Sequence, residues 1–487
     1  MKKLILFLCV MLLSASSWAF CGFYVAKADL QLFNKTSQVM LVRNGEQTTV
    51  TMSSDFEGDV TDFAMVVPVP VIISESDIKV VERSMFDRID AYSTPRLVSY
   101  NDRSPCGFPY HRYKKSRMAV QSYSGGKSLE SISSVNSTNY QVTIEAKYTV
   151  GEYDILILSA QESGGLERWL NDNGYKIPKG AKEVLDPYIK SNMKFFVVKV
   201  NLKENEKRAD KNLRPIQITY SSPKFMLPIR LGMANARSVQ DMIVYLFSSK
   251  GRVEVTNYRT VEMVTSKHIP LTLSDQKKFS QFYKDLYYKS WEREGKNVAF
   301  LEYAWNIGTQ VPPSQKCDPC VSPPPVDDDL RMAGVDWVTD KSKSIAPDQV
   351  FFTRLHITYD RNHFPQDLLL QETPNKQNYQ ARYIITRPAW NTDCARAQAY
   401  FAKLKTRRQE EVQNVVTLAG WKAADFHDYI HQYDDRMWID VGGKKTKEGS
   451  FFAASDDENE DHSLVTMLTV LSLVCTLFAL TRKAKKA

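Results

Sequence analysis

The chain has 487 residues, 43% of them hydrophobic and 25% charged, with a formal net charge of +8. These values sit near globular averages and exclude a disordered, collagen-like or multi-span membrane protein. The length predicts two or three domains, or one large α+β unit.

Residues 1–19 read as a signal peptide. Lys2 and Lys3 open it, Leu4 to Leu13 form an apolar run, and Ser17-Trp18-Ala19 is a small-x-small cleavage site. Ten residues rise about 15 Å as helix against a bilayer of roughly 30 Å, which favours cleavage over an uncleaved anchor. Phe20 before Cys21 argues against lipid attachment, which requires a small residue there.

An N-terminal β-rich region follows over 20–120. VMLVR (39–43), TTVTMS (48–53), FAMVVPVPV (63–71) and IKVVE (78–82) are short, β-branched and bounded by turn residues. Asn44-Gly45 predicts a hairpin between the first two. Pro68 and Pro70 cannot donate ladder hydrogen bonds, so that strand must end, bulge or lie at an edge. His111 to Arg117 is the densest basic patch, and 121–139 is a Ser/Gly-rich loop.

The central α+β region, 140–310, opens with strands over 140–160 that turn at Gly151, then a helical hairpin over 165–191 and a strand at 195–202. A second hairpin is expected over 242–259, joined across Lys250-Gly251. Leu273 to Glu294 is the clearest amphipathic helix, with Ser274 as its cap.

Residues 311–330 form a Pro-rich loop. Six prolines in twenty residues oppose helix and sheet and impose stiff, extended backbone. The C-terminal α+β region, 331–450, contributes strands at 351–359 and 379–387 and helices near 395–419 and 423–433. Runs of strands with segregated helices, without strict βαβ alternation, argue an α+β fold with largely antiparallel β-sheets.

An acidic spacer (451–463) then precedes an uncharged segment (464–481) and a basic tail (482–487). With Ser463 the segment rises about 28 Å, enough for one transmembrane helix. Lys and Arg resist translocation, so the tail is expected to stay cytoplasmic with the body exported. A similar tail also serves as a removable sorting signal. The body between the ends carries a net +7. Export disfavours a nucleic-acid partner and leaves the lipid bilayer and an envelope protein or polymer as expected partners.

Of seven cysteines, Cys9 falls in the signal and Cys475 in the span. Cys21, Cys106, Cys317, Cys320 and Cys394 remain as disulfide or redox candidates, an odd number that leaves one thiol free or paired between chains. Cys317-Asp318-Pro319-Cys320 has three readings. A redox dithiol would need a sulfur of depressed pKa, and a zinc knuckle would need a second ligand pair that Cys394 alone does not supply. The third is a stapled structural loop, bridged internally or tied to Cys394.

His427 and His431 stand at i and i+4 on one helix face, as a zinc site requires, with Asp434, Asp435 or Asp440 as third-ligand candidates. Asp428 occupies the place where the metalloprotease motif has glutamate. Neither G-x-S-x-G nor the P-loop pattern occurs, and Ser124-Gly125-Gly126-Lys127 lacks the companions of an S-x-x-K enzyme. His356 and His363 read as structural. No cofactor is implied.

Several blocks resemble the bacterial domain of unknown function 2330 family: FCGFYVAKAD (20–29), LFNKTSQVMLVRNGEQTTVTM (32–52), DFAMVVPVPV (62–71), TPRLVSY (94–100), YDILILSAQESGGLERWLNDNGY (153–175), FMLPIRLGMANA (225–236), KCDPC (316–320) and TRLHITYD (353–360). The resemblance extends over about residues 20–440. It implies an exported, often membrane-tethered envelope protein and brings no established activity. The leading expectation is a non-enzymatic binding or assembly component anchored once in the cytoplasmic membrane. The alternative is a thiol-redox protein using Cys317 and Cys320, with Cys394 resolving, or a metal hydrolase using His427 and His431.

Overall fold

The computed structural model describes residues 23–24, 33–34, 37–53, 56–57, 64–107, 142–173, 181–201, 203–204, 213–235, 239–308, 311–338 and 349–438. The expected signal segment, Cys21, the basic patch, the Ser/Gly-rich stretch, Asp440, the acidic stretch, the apolar 464–481 segment expected to span the membrane and the basic tail lie outside these residues. Among the described residues no helix is long and apolar enough to cross a membrane. Nearly all described residues belong to one compact unit, Met1–Met437.

Two sheets pack face to face. The larger has nine strands, ordered 259–262, 298–306, 351–359, 240–248, 37–44, 47–53, 216–221 and 78–80, with 379–380 also paired to 298–306. The smaller has five, ordered 23–24, 64–69, 194–200, 153–160 and 142–150, all antiparallel. Val39, Leu41, Val50 and Met52 of the larger sheet meet Val67, Ile155, Phe196 and Val198 of the smaller in one apolar core. Period-two alternation produces this, because each strand sends every second side chain inward.

Helices cover both outer faces. The hairpin of Ser163–Asp172 and Ala181–Lys190 sits on the five-stranded sheet through Leu166, Trp169, Leu185 and Tyr188. On the nine-stranded sheet, helices Ser84–Ser93 and Asp327–Ala333 cover one part. Helices Gln276–Arg293 and Ala397–Ala419 belong to a neighbouring cluster. The α+β class with largely antiparallel sheets therefore stands, with 37–44/240–248 and 259–262/298–306 as parallel pairs in the large sheet.

The hairpin at Asn44-Gly45 forms as expected, with Asn44 opposite Gln47 and Gly45 at φ +60°. The Pro68 strand ends at Val69, and among the described residues its outer partner pairs with Met65 and Val66.

Three local expectations are corrected. The Lys250-Gly251 turn does not close a hairpin, since Val253–Val255 pairs with 370–372. Gly251 packs so closely on that segment that a Cβ would meet the carbonyl oxygens of Thr373 and Asn375 at 2.6 Å. The long helix starts at Gln276, capped by Asp275, whose carboxylate accepts from the Lys278 amide at 3.0 Å. Ser274 is spent in the preceding 3-10 turn, Leu271–Ser274. The Pro-rich loop ends sooner than residue 330. Helix Asp327–Ala333 begins within it, its Asp329 carboxylate accepting from the Val326 amide at 3.2 Å, and acid at a helix start suits the dipole.

Candidate functional site

Four of the five candidate cysteines are described, and all four pair. Cys106 joins Cys394 across 288 residues, with Cα atoms 5.7 Å apart. The bridge ties the loop after strand Arg96–Asn101 to the start of helix Ala397–Ala419. Arg407 of that helix clasps Asp102 through two bonds of 2.9 and 2.7 Å. Cys317 joins Cys320 within the loop, Cα atoms 5.0 Å apart. Cys394 is thus engaged elsewhere, which removes it both as the loop's staple and as its resolving thiol.

The Cys317–Cys320 loop rests on a cradle of side chains that grip its backbone. Tyr92 and Tyr303 hydroxyls both donate to the Lys316 carbonyl, at 2.5 and 2.7 Å. The Trp305 indole donates to Gln315 O at 2.7 Å and Arg382 to Asp318 O at 2.7 Å. Arg96, 2% exposed, donates to Pro319 O at 3.0 Å and to Tyr92 O at 2.5 Å, with its guanidinium over the Tyr303 ring. Its Nε finds no acceptor among the described residues. Burial pushes the Tyr92 and Tyr303 hydroxyls up and pulls the Arg96 guanidinium and Lys316 ammonium down. The two cysteines differ in exposure. Cys317 is 3% exposed, whereas Cys320 lies at the surface.

Beside this cradle runs a buried polar seam across the helix-covered face of the large sheet. Strand Phe351–Tyr359 sends Leu355 and Ile357 into the sandwich and Arg354, His356 and Thr358 toward the helices. Next to it, strand Val298–Asn306 shifts register between Leu301 and Tyr303, so that Glu302 is the extra residue. Glu302 Oε2 accepts from Arg354 Nε at 2.7 Å, and Oε1 meets His356 Nδ1 at 2.9 Å and the Tyr283 hydroxyl at 2.5 Å.

Arg354 reaches on to Asp90 at 2.6 Å, which also accepts from Tyr245 at 2.6 Å. Asp241 closes the other end, bonded by Thr358 and by Tyr288 at 2.6 Å, and 4.0 Å from His356 Nε2. Burial alone would raise the Glu302 pKa; the charges of His356 and Arg354 and the hydrogen bonds from His356 and Tyr283 hold it down at about 2. Burial would likewise discharge Arg354, and Asp90, Tyr245 and Glu302 more than offset it. A network paired this fully locks helices Ser84–Ser93 and Gln276–Arg293 to the sheet.

His427 and His431 do share a helix face, their rings stacked 4.4 Å apart. Both are exposed. His431 Nδ1 lies 2.7 Å from Asp434, which Lys405 also engages at 2.7 Å. Among the described residues no three His, Cys, Asp or Glu side chains are grouped to hold a metal ion.

The sequence signals differed in strength. Cys317 and Cys320 are marked by spacing alone. Glu302 was detectable as a lone charge in the apolar run VAFLEYAWN, but its ionic partners Arg354 and His356 lie over 50 residues away. Tyr92, Arg96 and Tyr303 carry no mark, because their role exists only once the loop lies on them.

A family described as an uncharacterized protein conserved in bacteria (DUF2330) matches residues 15–371, well over half of the chain. The match stops short of the 20–440 span expected from the resemblance, before the C-terminal helices. No curated protein and no solved structure matches.

Proposed function

Because the chain belongs to the DUF2330 family of uncharacterised bacterial proteins, we propose that it is an exported, single-pass envelope protein whose rigid body binds or supports another envelope component. The observation that carries this reading is the Cys106–Cys394 bridge, which joins segments 288 residues apart. Such cross-links persist in oxidising compartments outside the cytosol. The apolar stretch 464–481 and the basic tail after it supply the anchor and its orientation. A binding role accords with the polar seam, whose ionised groups pair with one another and leave no open ligand set.

Protease added to intact spheroplasts tests the reading. The expected outcome is digestion of the body with a short C-terminal fragment protected by the membrane. A chain that resists until the cells are lysed would overturn it.

A further inference from the structure

We propose that the Cys317–Cys320 bridge is an exchange site whose surface-exposed Cys320 accepts electrons from a dithiol protein docked beside it. Only the partner's compartment rests on the export reading; the chemistry rests on three features of the loop.

The first is asymmetry. A thiolate attacks a disulfide in line with the S–S bond, so access selects the sulfur that is struck. Cys317 is buried at 3% exposure and Cys320 lies at the surface, which directs attack to Cys320.

The second is redundancy of the bridge as a structural device. Tyr92, Tyr303, Arg96, Arg382 and Trp305 hold the loop's carbonyls by hydrogen bonds that do not involve either sulfur. A bridge between residues three apart also restricts the unfolded chain far less than one spanning 288 residues. Opening it therefore leaves the loop in place.

The third is the surface around the sulfur. Val321 next to Cys320 is 49% exposed, Val326 is 56% exposed, and Pro323, Pro324 and Pro325 stiffen the backbone between them. A rigid apolar rim beside a reachable sulfur suits a protein partner, which can cover it on docking.

The exchange balances in two steps. The partner's first thiolate attacks Cys320 Sγ; a new intermolecular S–S bond forms, the Cys317–Cys320 bond breaks, and Cys317 leaves with the electron pair and takes a proton. The partner's second thiolate then attacks its own bridged sulfur and displaces Cys320, which is protonated in turn. The partner ends as a disulfide and the loop as a dithiol, two electrons having passed between them.

The test uses purified full-length protein in detergent, dithiothreitol as the dithiol probe, and alkylation with mass spectrometry as the readout. Cys317–Cys320 is expected to open on the order of tenfold faster than Cys106–Cys394, with thermal unfolding of the partly reduced protein little changed. In single variants, Cys317→Ser should leave a Cys320 thiol that reacts with 4,4′-dithiodipyridine on the order of tenfold faster than the Cys317 thiol of Cys320→Ser. Opening of both bridges at one rate, faster reaction of Cys317, or unfolding once the loop is reduced would each overturn the proposal. If a variant fails to fold, the rates in the unsubstituted protein still decide. None of these outcomes bears on protease accessibility, so failure of the exchange leaves the export reading standing.

Discussion

At Glu302 one strand carries a residue more than its neighbour, and the extra residue is a carboxylate 1% exposed to solvent. A buried charge is tolerated only when paired and hydrogen-bonded, and here Arg354, His356 and Tyr283 supply the partners. Its folded pKa of about 2 lies below the ordinary 4.5. The sign follows: the stabilisation is present above pH 4.5 and is lost as pH falls toward 2. Glu302→Gln strands Arg354 against Asp90 alone and should cost about 3–5 kcal/mol at neutral pH. Urea unfolding of both proteins at pH 7 and pH 3 checks this. The difference should shrink at pH 3, and an equal difference at both would show that ionic pairing is not its source.

Elements show the opposite case on helix Ala397–Ala419. Glu411 faces inward with Phe401, Leu404 and Val412, and burial pushes its pKa up to about 6 despite the Tyr429 hydrogen bond and the Arg407 charge. Arg407 Nε comes only to 3.4 Å from Glu411 Oε1, which has no aligned donor. Since the folded pKa is raised, this contribution is full below pH 4.5 and lost as pH rises through 6, about 2 kcal/mol in all. Glu411→Gln should therefore unfold at higher temperature than the parent at pH 7.5 and lose that part of the pH dependence. A variant that is less stable at pH 7.5 would refute the assignment. Elements were legible where the signal was local: the Asn44-Gly45 hairpin followed from turn chemistry, and the long helix expected over 273–294 followed from periodicity, though its start and cap did not. The Lys250-Gly251 turn misled because the partner strand Leu368–Glu372 lies over a hundred residues away.

The whole molecule is held by strands that do not follow chain order. The nine-stranded sheet takes 37–53 and 78–80 from one end, 216–221, 240–248, 259–262 and 298–306 from the middle, and 351–359 and 379–380 from beyond the Pro-rich loop. The segments that looked successive along the chain thus share one sheet, and Cys106–Cys394 joins the chain just beyond strands 96–101 and 382–387, which pair in a separate sheet. Loop-closure entropy grows with the span a bridge encloses. The double variant Cys106→Ser/Cys394→Ser should lose about 2–5 kcal/mol of stability, and Cys317→Ser/Cys320→Ser should lose clearly less. Urea unfolding of the three proteins ranks them, and the reverse order would make the short loop the principal staple.

By itself the sequence determined the α+β class, the antiparallel hairpins over 37–53 and 142–160, most helices and the five candidate cysteines outside the two apolar ends. Each of these depends on residues near one another in the chain, where periodicity, turn preference and spacing act directly. Only the tertiary structure decided which cysteines pair, that Cys317 is buried while Cys320 is reachable, and that Asp90, Asp241, Glu302, Arg354 and His356 form one seam. Those features arise when strands far apart in sequence come into register, and neither the composition nor the spacing of residues encodes which strands will meet.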